Sequence, residues 1–339
     1  MKRYLIAVIC VIVISALGPA LDWAKADDLS ELVEQAQHEG TVIYYGVTNP
    51  EAMTPILKMF KEKYPFLEVK HFRTAPPALL EKVLAESRVG RYPDVVGNNF
   101  FENSYLASRD FFEPYEPAEK KFVRPEFVDP KNRFIGIGFN PFALAYNTNF
   151  LRPGDLPRTY EDFLDPKWKG KLGFNPSNVG WVIALVDFMG KERGEKFFQD
   201  LSRQEIGLTR GNSLHIQHVA AGEYRIGIAT YAYLISLAKR KGAPVDFAYL
   251  KPIFSDWSVD GLVKRAEHKA AGKLLIRFLL SQQAQKLYRD TGRMPTRIDV
   301  KPLDPRLTED VKFNPFKPEW ADRYRAYAEF VQRIFAKRR

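Results

Sequence analysis

The alternation of apolar and polar residues divides the first part of the chain into short strands and amphipathic helices. Residues 41–47 form a β-rich run that ends in a turn, and residues 67–72 alternate as a strand does. Between them, residues 51–63 carry apolar side chains at the three- and four-residue spacing of a helix. A second helix over 76–86 and a short strand over 94–96 follow. Strands and helices that alternate in this way predict a parallel α/β sheet.

A second α/β series follows a β-rich region at residues 134–147. Its predicted strands cover residues 171–174, 206–209, 226–230 and 245–250. The predicted helices of the remaining chain cover 179–189, 192–201, 214–221, 231–241, 267–280, 282–290 and 318–336. Two α/β series joined by β segments favour a bilobal architecture with a ligand in the crevice at the carboxyl ends of the strands.

The first 26 residues have the layout of a secretory signal. A basic start at Met1–Arg3 precedes the apolar stretch Tyr4–Leu17, and Ala24-Lys25-Ala26 supplies the small residues of a cleavage site. We therefore expect cleavage after Ala26 and a periplasmic protein; an uncleaved membrane anchor is the open alternative. Cys10, the single cysteine of the chain, lies within the apolar stretch, so the mature protein is expected to have none.

Length and composition exclude several classes of protein. A chain of 339 residues with 45% hydrophobic residues is long enough for two domains. Beyond the first 25 residues no apolar run is long enough to span a bilayer, and one cysteine cannot build a zinc cluster or a disulfide framework. The formal charge of +10 is scattered over amphipathic segments, whereas nucleic-acid binders concentrate theirs in stripes. Nucleic acid is therefore not expected as a partner, and a mild attraction for anions is.

Motifs for catalysis are missing. The sequence has no Walker A loop, no Rossmann glycine fingerprint, no H-E-x-x-H and no G-x-S-x-G elbow. His215 and His218 lie three residues apart on a predicted helix, but no acidic ligand lies nearby, and ordinary histidines are the expectation. We expect a protein that is not an enzyme and that needs no cofactor.

Several short motifs occur in the order found in one protein family. They are Tyr44–Asn49, Arg91–Val95 with Glu86 upstream, Leu144–Thr148, Thr159–Lys171, Asn175–Asn178, Asn212-Ser213 ahead of Ala221–Glu223, and Tyr231–Tyr233. Together they resemble the periplasmic solute-binding proteins of ABC importers, in the branch that binds ferric iron, thiamine and phosphate esters. The most specific stretch is Asp165–Gly170, whose Asp165 and Trp168, with Lys171, we assign to structure.

The resemblance implies an α/β fold of the bilobal periplasmic-binding-protein type (type II), with two lobes joined by two β crossovers. We expect lobe 1 to comprise residues 27–139 and 254–297, and lobe 2 residues 140–253 and 298–339. The crossovers are expected near 139–148 and 250–258. The implied function is to capture a small-molecule solute between the lobes and to deliver it, as a monomer, to an ABC permease of the inner membrane. A binding subunit of a sensory receptor is the alternative of another class.

The resemblance transfers less completely to ferric iron. Ferric binders of the family use a histidine, a glutamate and two adjacent tyrosines. Here the histidine position falls at about Thr48, and Glu86 is the implied glutamate. Tyr233 matches one tyrosine, Ala232 occupies the other position, and Tyr231 is displaced by one residue. Ferric iron, coordinated by Glu86, Tyr231 and Tyr233, therefore remains the alternative to an organic solute.

Features that hold an anion are more complete. Ser177 and Asn178 precede one predicted helix, and Asn212 and Ser213 precede another, where they can cap the helix and offer backbone N–H groups to an anion. These residues serve equally as ordinary caps. The remaining candidate ligand contacts are the aromatic residues Tyr45, Trp181, Tyr231 and Tyr233 and the polar residues Thr48, Thr74 and Asn98. We expect a small anionic organic solute.

Overall fold

The structure is a computed structural model that describes residues 29–336. The predicted signal sequence, with Cys10, and the basic run 337–339 lie outside the described residues. Within them, no helix has the length and apolar character needed to cross a membrane.

The described residues contain eleven strands. They are β1 (Thr41–Gly46), β2 (Glu68–Arg73), β3 (Val95–Asn99), β4 (Ile135–Asn147), β5 (Leu172–Phe174), β6 (Gly207–Leu208), β7 (Ile226–Tyr231), β8 (Val245–Ala248), β9 (Ile253–Leu262), β10 (Met294–Pro295) and β11 (Phe313–Pro315).

Eleven α-helices pack around these strands in the same part of the chain. They are α1 (Leu29–Glu39), α2 (Pro50–Lys63), α3 (Pro76–Ser87), α4 (Phe100–Ala107), α5 (Val179–Met189), α6 (Lys191–Leu201), α7 (Asn212–Ala221), α8 (Ala232–Arg240), α9 (Lys269–Leu279), α10 (Gln282–Asp290) and α11 (Tyr324–Phe335). The α/β fold class expected from the sequence is confirmed, and most predicted elements agree with the structure to within a few residues.

The strands form one mixed sheet in the order β2-β1-β3-β9-β4-β7-β5-β6. At one end β1, β2 and β3 are parallel, as predicted, and at the other β5, β6 and β7 are parallel to one another. The long strands β4 and β9 lie between these two sets and are antiparallel to each other. Every residue of both strands is buried, which is typical of strands that are covered on both faces.

Strand β4 connects the two sets because it changes partners along its length. Its residues up to Pro141 pair with β9, whereas those from Phe142 to Asn147 pair with β7 and β8. Since β7 is antiparallel to β4 and β3 is antiparallel to β9, the carboxyl ends of β3 and β7 both point towards the middle of β4. The topology therefore brings two strand ends together at one place.

Two sequence motifs have structural roles in this framework. Asp94, in the motif before β3, is fully buried and accepts hydrogen bonds from the backbone N–H groups of Ile43 and His268 and from the His268 ring. Asp165 accepts from the backbone N–H of Lys167 at 2.9 Å, and Trp168 is buried. The first motif joins β1 to the start of α9, and the second holds a short turn.

The helix predicted over residues 318–336 differs from the prediction in its first part. Residues Pro318–Arg323 form a 3₁₀ helix, and the α-helix α11 begins only at Tyr324. Trp320 in the 3₁₀ segment is buried and packs against Phe316, with ring centroids 5.9 Å apart. The apolar spacing predicts one continuous α-helix. In the structure its first part is the tighter 3₁₀ helix, in which Trp320 is packed against Phe316.

Candidate functional site

The strand ends that converge on β4 carry an acid and a tyrosine. Asp256 of β9 lies opposite Asn140 of β4, and Tyr231, the last residue of β7, lies opposite Phe142 two positions further along. The Tyr231 hydroxyl donates a hydrogen bond to Asp256 Oδ2 at 3.1 Å. Strand register alone therefore places these two side chains in contact across the junction of the two strand sets.

The Asp256 carboxyl is only 6% exposed. It accepts a second hydrogen bond from the backbone N–H of Trp257, at 2.8 Å. Burial nevertheless raises the pKa of Asp256 to about 7, because the two hydrogen bonds offset the loss of solvation only in part. Burial, together with the nearby Asp256 carboxyl, raises the pKa of Tyr231 well above its ordinary value.

A second acid comes from the helix after β3. Glu102 lies in the first turn of α4. Burial first, and the nearby Asp256 carboxyl as the second raising cause, bring the pKa of Glu102 to about 7. Tyr324 of α11 lies near both acids, and burial raises its pKa to about 12. Among residues 29–336, no basic side chain forms an ion pair with Glu102 or Asp256.

A guanidinium lies next to Tyr233, the ring that stacks on Tyr231. The Tyr231 and Tyr233 rings are stacked at a centroid distance of 6.1 Å, and Arg293 Cζ lies 5.6 Å from the Tyr233 centroid. Arg293 Nη2 donates a hydrogen bond to Asn49 Oδ1 at 2.9 Å. No carboxylate pairs with Arg293 in the described part of the chain. We call Glu102, Tyr231, Tyr233, Asp256 and Arg293 the charged cluster.

Three asparagine side chains form a separate group, the amide cluster, at the starts of α5 and α7. Asn178 Nδ2 donates to Asn212 Oδ1 at 3.0 Å and to the carbonyl of Ala229 at 2.7 Å, and Asn175 Nδ2 donates to Asn212 Oδ1 at 3.2 Å. Asn175 Oδ1 accepts from the backbone N–H of Ser177 at 3.1 Å. Most donors and acceptors of these amides are used within the protein.

The amide cluster supports an unusual backbone conformation. Ala229 has a φ of 54°, in the left-handed region that residues other than glycine rarely adopt, and the pairing of β4 with β7 shifts register nearby. The hydrogen bond from Asn178 holds the Ala229 carbonyl. Because Ala229 precedes Tyr231 by two residues, this bulge sets the direction in which the strand end presents Tyr231.

The structure brings together part of the predicted site. Tyr231 and Tyr233 lie in the charged cluster, and buried Thr48 lies next to Asn49, the partner of Arg293. Asn178 and Asn212 lie in the amide cluster, while Ser177 and Ser213 are exposed beside it. The prediction that Asn178 and Asn212 cap helices is wrong in detail, because neither makes a side-chain cap and α7 begins at Asn212 after Gly211.

Other predicted contacts lie elsewhere. Trp181 is 1% exposed and packs against Tyr160, Phe174 and Phe198 in the core, so its expected place in a crevice wall is wrong. The run of apolar residues in α5 is the signal that indicates a buried helix.

The residues expected along β1 to β3 lie beside α3. The Tyr45 ring contacts Phe72 at a centroid distance of 5.3 Å and lies 5.2 Å from Lys82 Nζ. Glu86, the implied iron-binding glutamate, forms an ion pair with that same lysine. The carboxyls that the fold brings to Tyr231 are Asp256 and Glu102 instead.

Thr74 and Asn98 follow the ends of β2 and β3. Thr74 is partly buried just before α3 begins. Asn98 is buried, and its Nδ2 donates to the carbonyl of Pro76 at 3.2 Å, which ties the end of β3 to the start of α3.

Sequence reasoning missed Glu102, Asp256, Arg293 and Asn49. The polar residue Asp256 within an otherwise apolar strand was the available signal, since a buried acid needs a reason to be there. The histidines differ from the expectation of ordinary surface or cap residues: His218 contacts Glu223, an acidic neighbour, and His215 is fully buried. No group of three or more His, Cys, Asp or Glu residues suited to a metal ion occurs within residues 29–336.

Comparisons with known proteins agree with this architecture. A model of the bacterial extracellular solute-binding protein family matches residues 91–322. The solved structure of iron-bound HitA from Pseudomonas aeruginosa matches with a TM-score of 0.76 over 87% of this chain and 99% of that chain, at 23% identity. That likeness confirms the fold.

Two curated relatives carry different names for what they bind. The Fe(3+)-binding periplasmic protein of Serratia marcescens is 24% identical over 199 residues, 56% of this chain and 59% of the relative. The putative 2-aminoethylphosphonate-binding periplasmic protein of Salmonella typhimurium is 28% identical over 190 residues, 52% of this chain and 55% of the relative. The chain thus spans less than two thirds of the length of these relatives.

Proposed function

The chain belongs to the bacterial extracellular solute-binding protein family, and on that premise we propose that it is the substrate-binding component of an ABC importer that captures a small anionic organic solute. The solute binds between two lobes at the charged cluster, and the closed form delivers it to an ABC permease. Family members are solute-binding proteins, and the proposed role of this chain requires no catalytic step.

Arg293 is the observation that supports an anionic solute. Arg293 is partly exposed, and a guanidinium that loses part of its hydration is stabilised by a neighbouring anion. Arg293 contacts the amide oxygen of Asn49 and the rings of Tyr233 and Tyr288, each ring centroid 5.6 Å from Cζ. None of these groups is a carboxylate, so a phosphonate, phosphate or carboxylate group of the solute would supply the negative charge.

The stacked tyrosines supply the organic part of the proposed site. Tyr231 and Tyr233 present two nearly parallel rings, with an interplanar angle of 19°. Arg293 lies next to the Tyr233 ring, and Asp256 accepts a hydrogen bond from Tyr231. Aromatic walls with a few polar groups at defined places are typical of sites for small organic ligands. Such a wall binds carbon-bearing solutes better than a bare inorganic ion.

Comparison of native and denatured masses tests the class of solute first. Protein purified from periplasm without refolding should carry an excess mass of one organic compound, lost on denaturation. Arg293→Gln should then weaken binding of the released compound, or of 2-aminoethylphosphonate as a probe, by about tenfold or more, because a charge-assisted hydrogen bond is lost. Arg289→Gln is the matched control, since Arg289 pairs with Asp290. Equal effects of both variants would contradict the proposal.

Ferric iron is the second candidate, and the hydrogen bond between Tyr231 and Asp256 supports it. A phenol beside two carboxyls offers the oxygen donors that a hard trivalent cation prefers. Ferric citrate added to the apoprotein would then produce a visible tyrosinate band that Tyr231→Phe abolishes. If the native protein carries iron and no excess organic mass, ferric iron replaces the small anionic organic solute as the proposed ligand.

Location and assembly follow from the same premise. The curated relatives above are periplasmic by name, and we propose a periplasmic location after cleavage behind Ala26, with the monomer as the functional unit. We propose lobe boundaries at 139/140, 253/254 and 297/298, close to the change of partners along β4. The alternative is that the closed form is presented to a sensory receptor instead of a permease. Loss of solute uptake in a strain that lacks this protein would favour the role in import.

A further inference from the structure

We propose that a group of arginines at the end of β3 and β9 remote from the charged cluster is a docking surface for an anionic phospholipid membrane. This surface, which we call the arginine patch, consists of four arginines and two tyrosines: Arg88, Arg91, Arg109, Arg265, Tyr92 and Tyr105. The inference goes beyond the proposed binding of a solute and does not depend on it, because the two surfaces use different residues.

Three separate segments of the chain form the arginine patch, with Tyr92 at its centre. The Tyr92 hydroxyl accepts a hydrogen bond from Arg265 Nη1 at 3.1 Å and donates one to the carbonyl of Ser87 at 3.2 Å. The Tyr92 ring lies 6.0 Å from the ring of Phe111, which follows Arg109 by two residues. Basic residues are scattered along the sequence, and only the fold collects these arginines on one surface.

The arginine patch carries an excess of positive charge. Within residues 29–336, none of its four arginines forms an ion pair with an acidic residue. Two acids of the same three segments have other partners: Glu86 pairs with Lys82, and Asp110 pairs with Lys264. Glu267 is the exposed acid that remains in these segments. The patch is therefore complementary in charge to a layer of anionic headgroups.

Two of the arginines are held against tyrosine rings. Arg109 Cζ lies 3.6 Å from the centroid of the Tyr105 ring, and Arg265 Cζ lies 5.8 Å from that of Tyr92. A guanidinium presents its N–H groups in a planar fork that suits a phosphate. Because the tyrosines hold these two forks in place before a partner arrives, less conformational entropy is lost when a phosphate binds.

An exposed apolar residue favours a membrane over a soluble acidic partner. Val89 lies in the turn between Arg88 and Arg91, and at 71% exposure it is the most exposed large hydrophobic residue of the described chain. The Tyr105 side chain is exposed as well. Arginines, tyrosines and an apolar side chain on one surface are typical of proteins that lie at the boundary between lipid headgroups and acyl chains.

The position of the arginine patch leaves the solute site free. Val95, at the start of β3, pairs with Leu262, at the end of β9, and the patch adjoins this end of both strands. Asp256 precedes Leu262 by six residues of β9, which is about 20 Å at the rise of a β-strand. Contact with a lipid surface would thus hold the protein beside the membrane of its proposed permease without covering the charged cluster.

Co-sedimentation with lipid vesicles tests the inference. At low salt the protein should sediment with vesicles of equal parts phosphatidylglycerol and phosphatidylcholine, and it should stay in solution with vesicles of phosphatidylcholine alone. Each arginine near an anionic surface contributes about fivefold to binding, so Arg109→Gln combined with Arg265→Gln should weaken binding by at least about tenfold. Val89→Ser should weaken it by about threefold, because an apolar contact with the lipid is lost.

A second double variant controls for total charge. Arg158→Gln combined with Arg225→Gln also removes two positive charges, at an exposed position and at a position where Cζ lies 5.2 Å from the Phe150 ring. Neither arginine belongs to the arginine patch. This variant should bind the anionic vesicles within about twofold of the wild type. Circular dichroism checks that both double variants are folded.

Three results would overturn the inference. Equal losses in the two double variants would reduce the binding to an effect of total charge. Equal sedimentation with both kinds of vesicle, or with neither, would show that anionic lipid is not recognised. Binding of polyglutamate through the arginine patch, without binding of vesicles, would identify an acidic polypeptide as the partner in place of a membrane.

Discussion

The amide cluster and the charged cluster lie on neighbouring strand and helix ends but differ in how their polar groups are used. Asn175, Asn178 and Asn212 bond to one another and to the backbone, so the protein itself satisfies them. Asp256 and Arg293 have no oppositely charged partner among the described residues. Satisfied polar groups hold a backbone in place, whereas uncompensated charges at a strand junction indicate a ligand. Variants of each cluster, compared in stability and in solute affinity, would test this contrast.

His215 is the strongest challenge to that contrast, because it is unsatisfied and yet lies away from the charged cluster. Both ring nitrogens of His215 are buried without a hydrogen-bond partner, and the ring lies 5.8 Å from that of Tyr224. Burial first, and the neighbouring His218 second, lower the pKa of His215 to about 4, from an ordinary value of 6.5. The unfolded chain therefore binds a proton at a higher pH than the folded protein.

From this we predict acid sensitivity. The stability that His215 contributes is complete above about pH 6.5 and is lost as the pH falls from 6.5 to 4, by up to about 3 kcal/mol. His215→Leu should flatten the free energy of unfolding, measured with urea, over that range. His38→Gln, at an exposed position of α1, is the matched histidine variant to be measured beside it. A profile that stays steep in His215→Leu would contradict the prediction.

The amide cluster gives the next largest expected effect. Asn178→Ala removes the donor to the Ala229 carbonyl and to Asn212, and it should lower the free energy of unfolding by about 2 kcal/mol. The neighbouring Ser177 is exposed, and Ser177→Ala should change stability by less than about 0.5 kcal/mol. Urea unfolding of both variants checks this.

Solute affinity, measured on the Asn178→Ala and Ser177→Ala variants, tests the expectation from the sequence that Ser177 and Asn178 bind an anion. An affinity loss in Ser177→Ala at unchanged stability would support anion binding at the start of α5. Unchanged affinity in a folded Asn178→Ala would restrict the amide cluster to holding the bulge at Ala229.

The sequence predicted the framework better than the site, for a physical reason. Local periodicity of apolar residues predicts strands such as β1 and helices such as α2, and the alternation of strands and helices predicts parallel pairing. Helix α4 was missed because it begins at Phe100 directly after β3, with no turn residue between them. Helix α1, at the edge of the described residues, was not predicted either.

The site depends on contacts between distant parts of the chain. Tyr231 was found because it belongs to a recognisable motif, whereas Asp256 and Arg293 come from β9 and from the segment after α10. Nothing local connects them to Tyr231. Register along β4 makes that connection, since Asn140 and Phe142 set the places of Asp256 and Tyr231, and register is a property of the folded sheet.

A small effect on stability, and the sharpest distinction between ligands, should come from Tyr231→Phe. The substitution keeps the ring that stacks on Tyr233 and removes the hydroxyl that donates to Asp256. Since one hydrogen bond at a partly exposed side chain is lost, stability should fall by about 1 kcal/mol or less. A small anionic organic solute, bound by the ring and by Arg293, should lose only about threefold to tenfold in affinity. A ferric ion would lose a phenolate ligand, and with it the visible band. Parallel titrations of the variant with 2-aminoethylphosphonate and with ferric citrate therefore show whether Tyr231 packs against an organic solute or coordinates a metal ion.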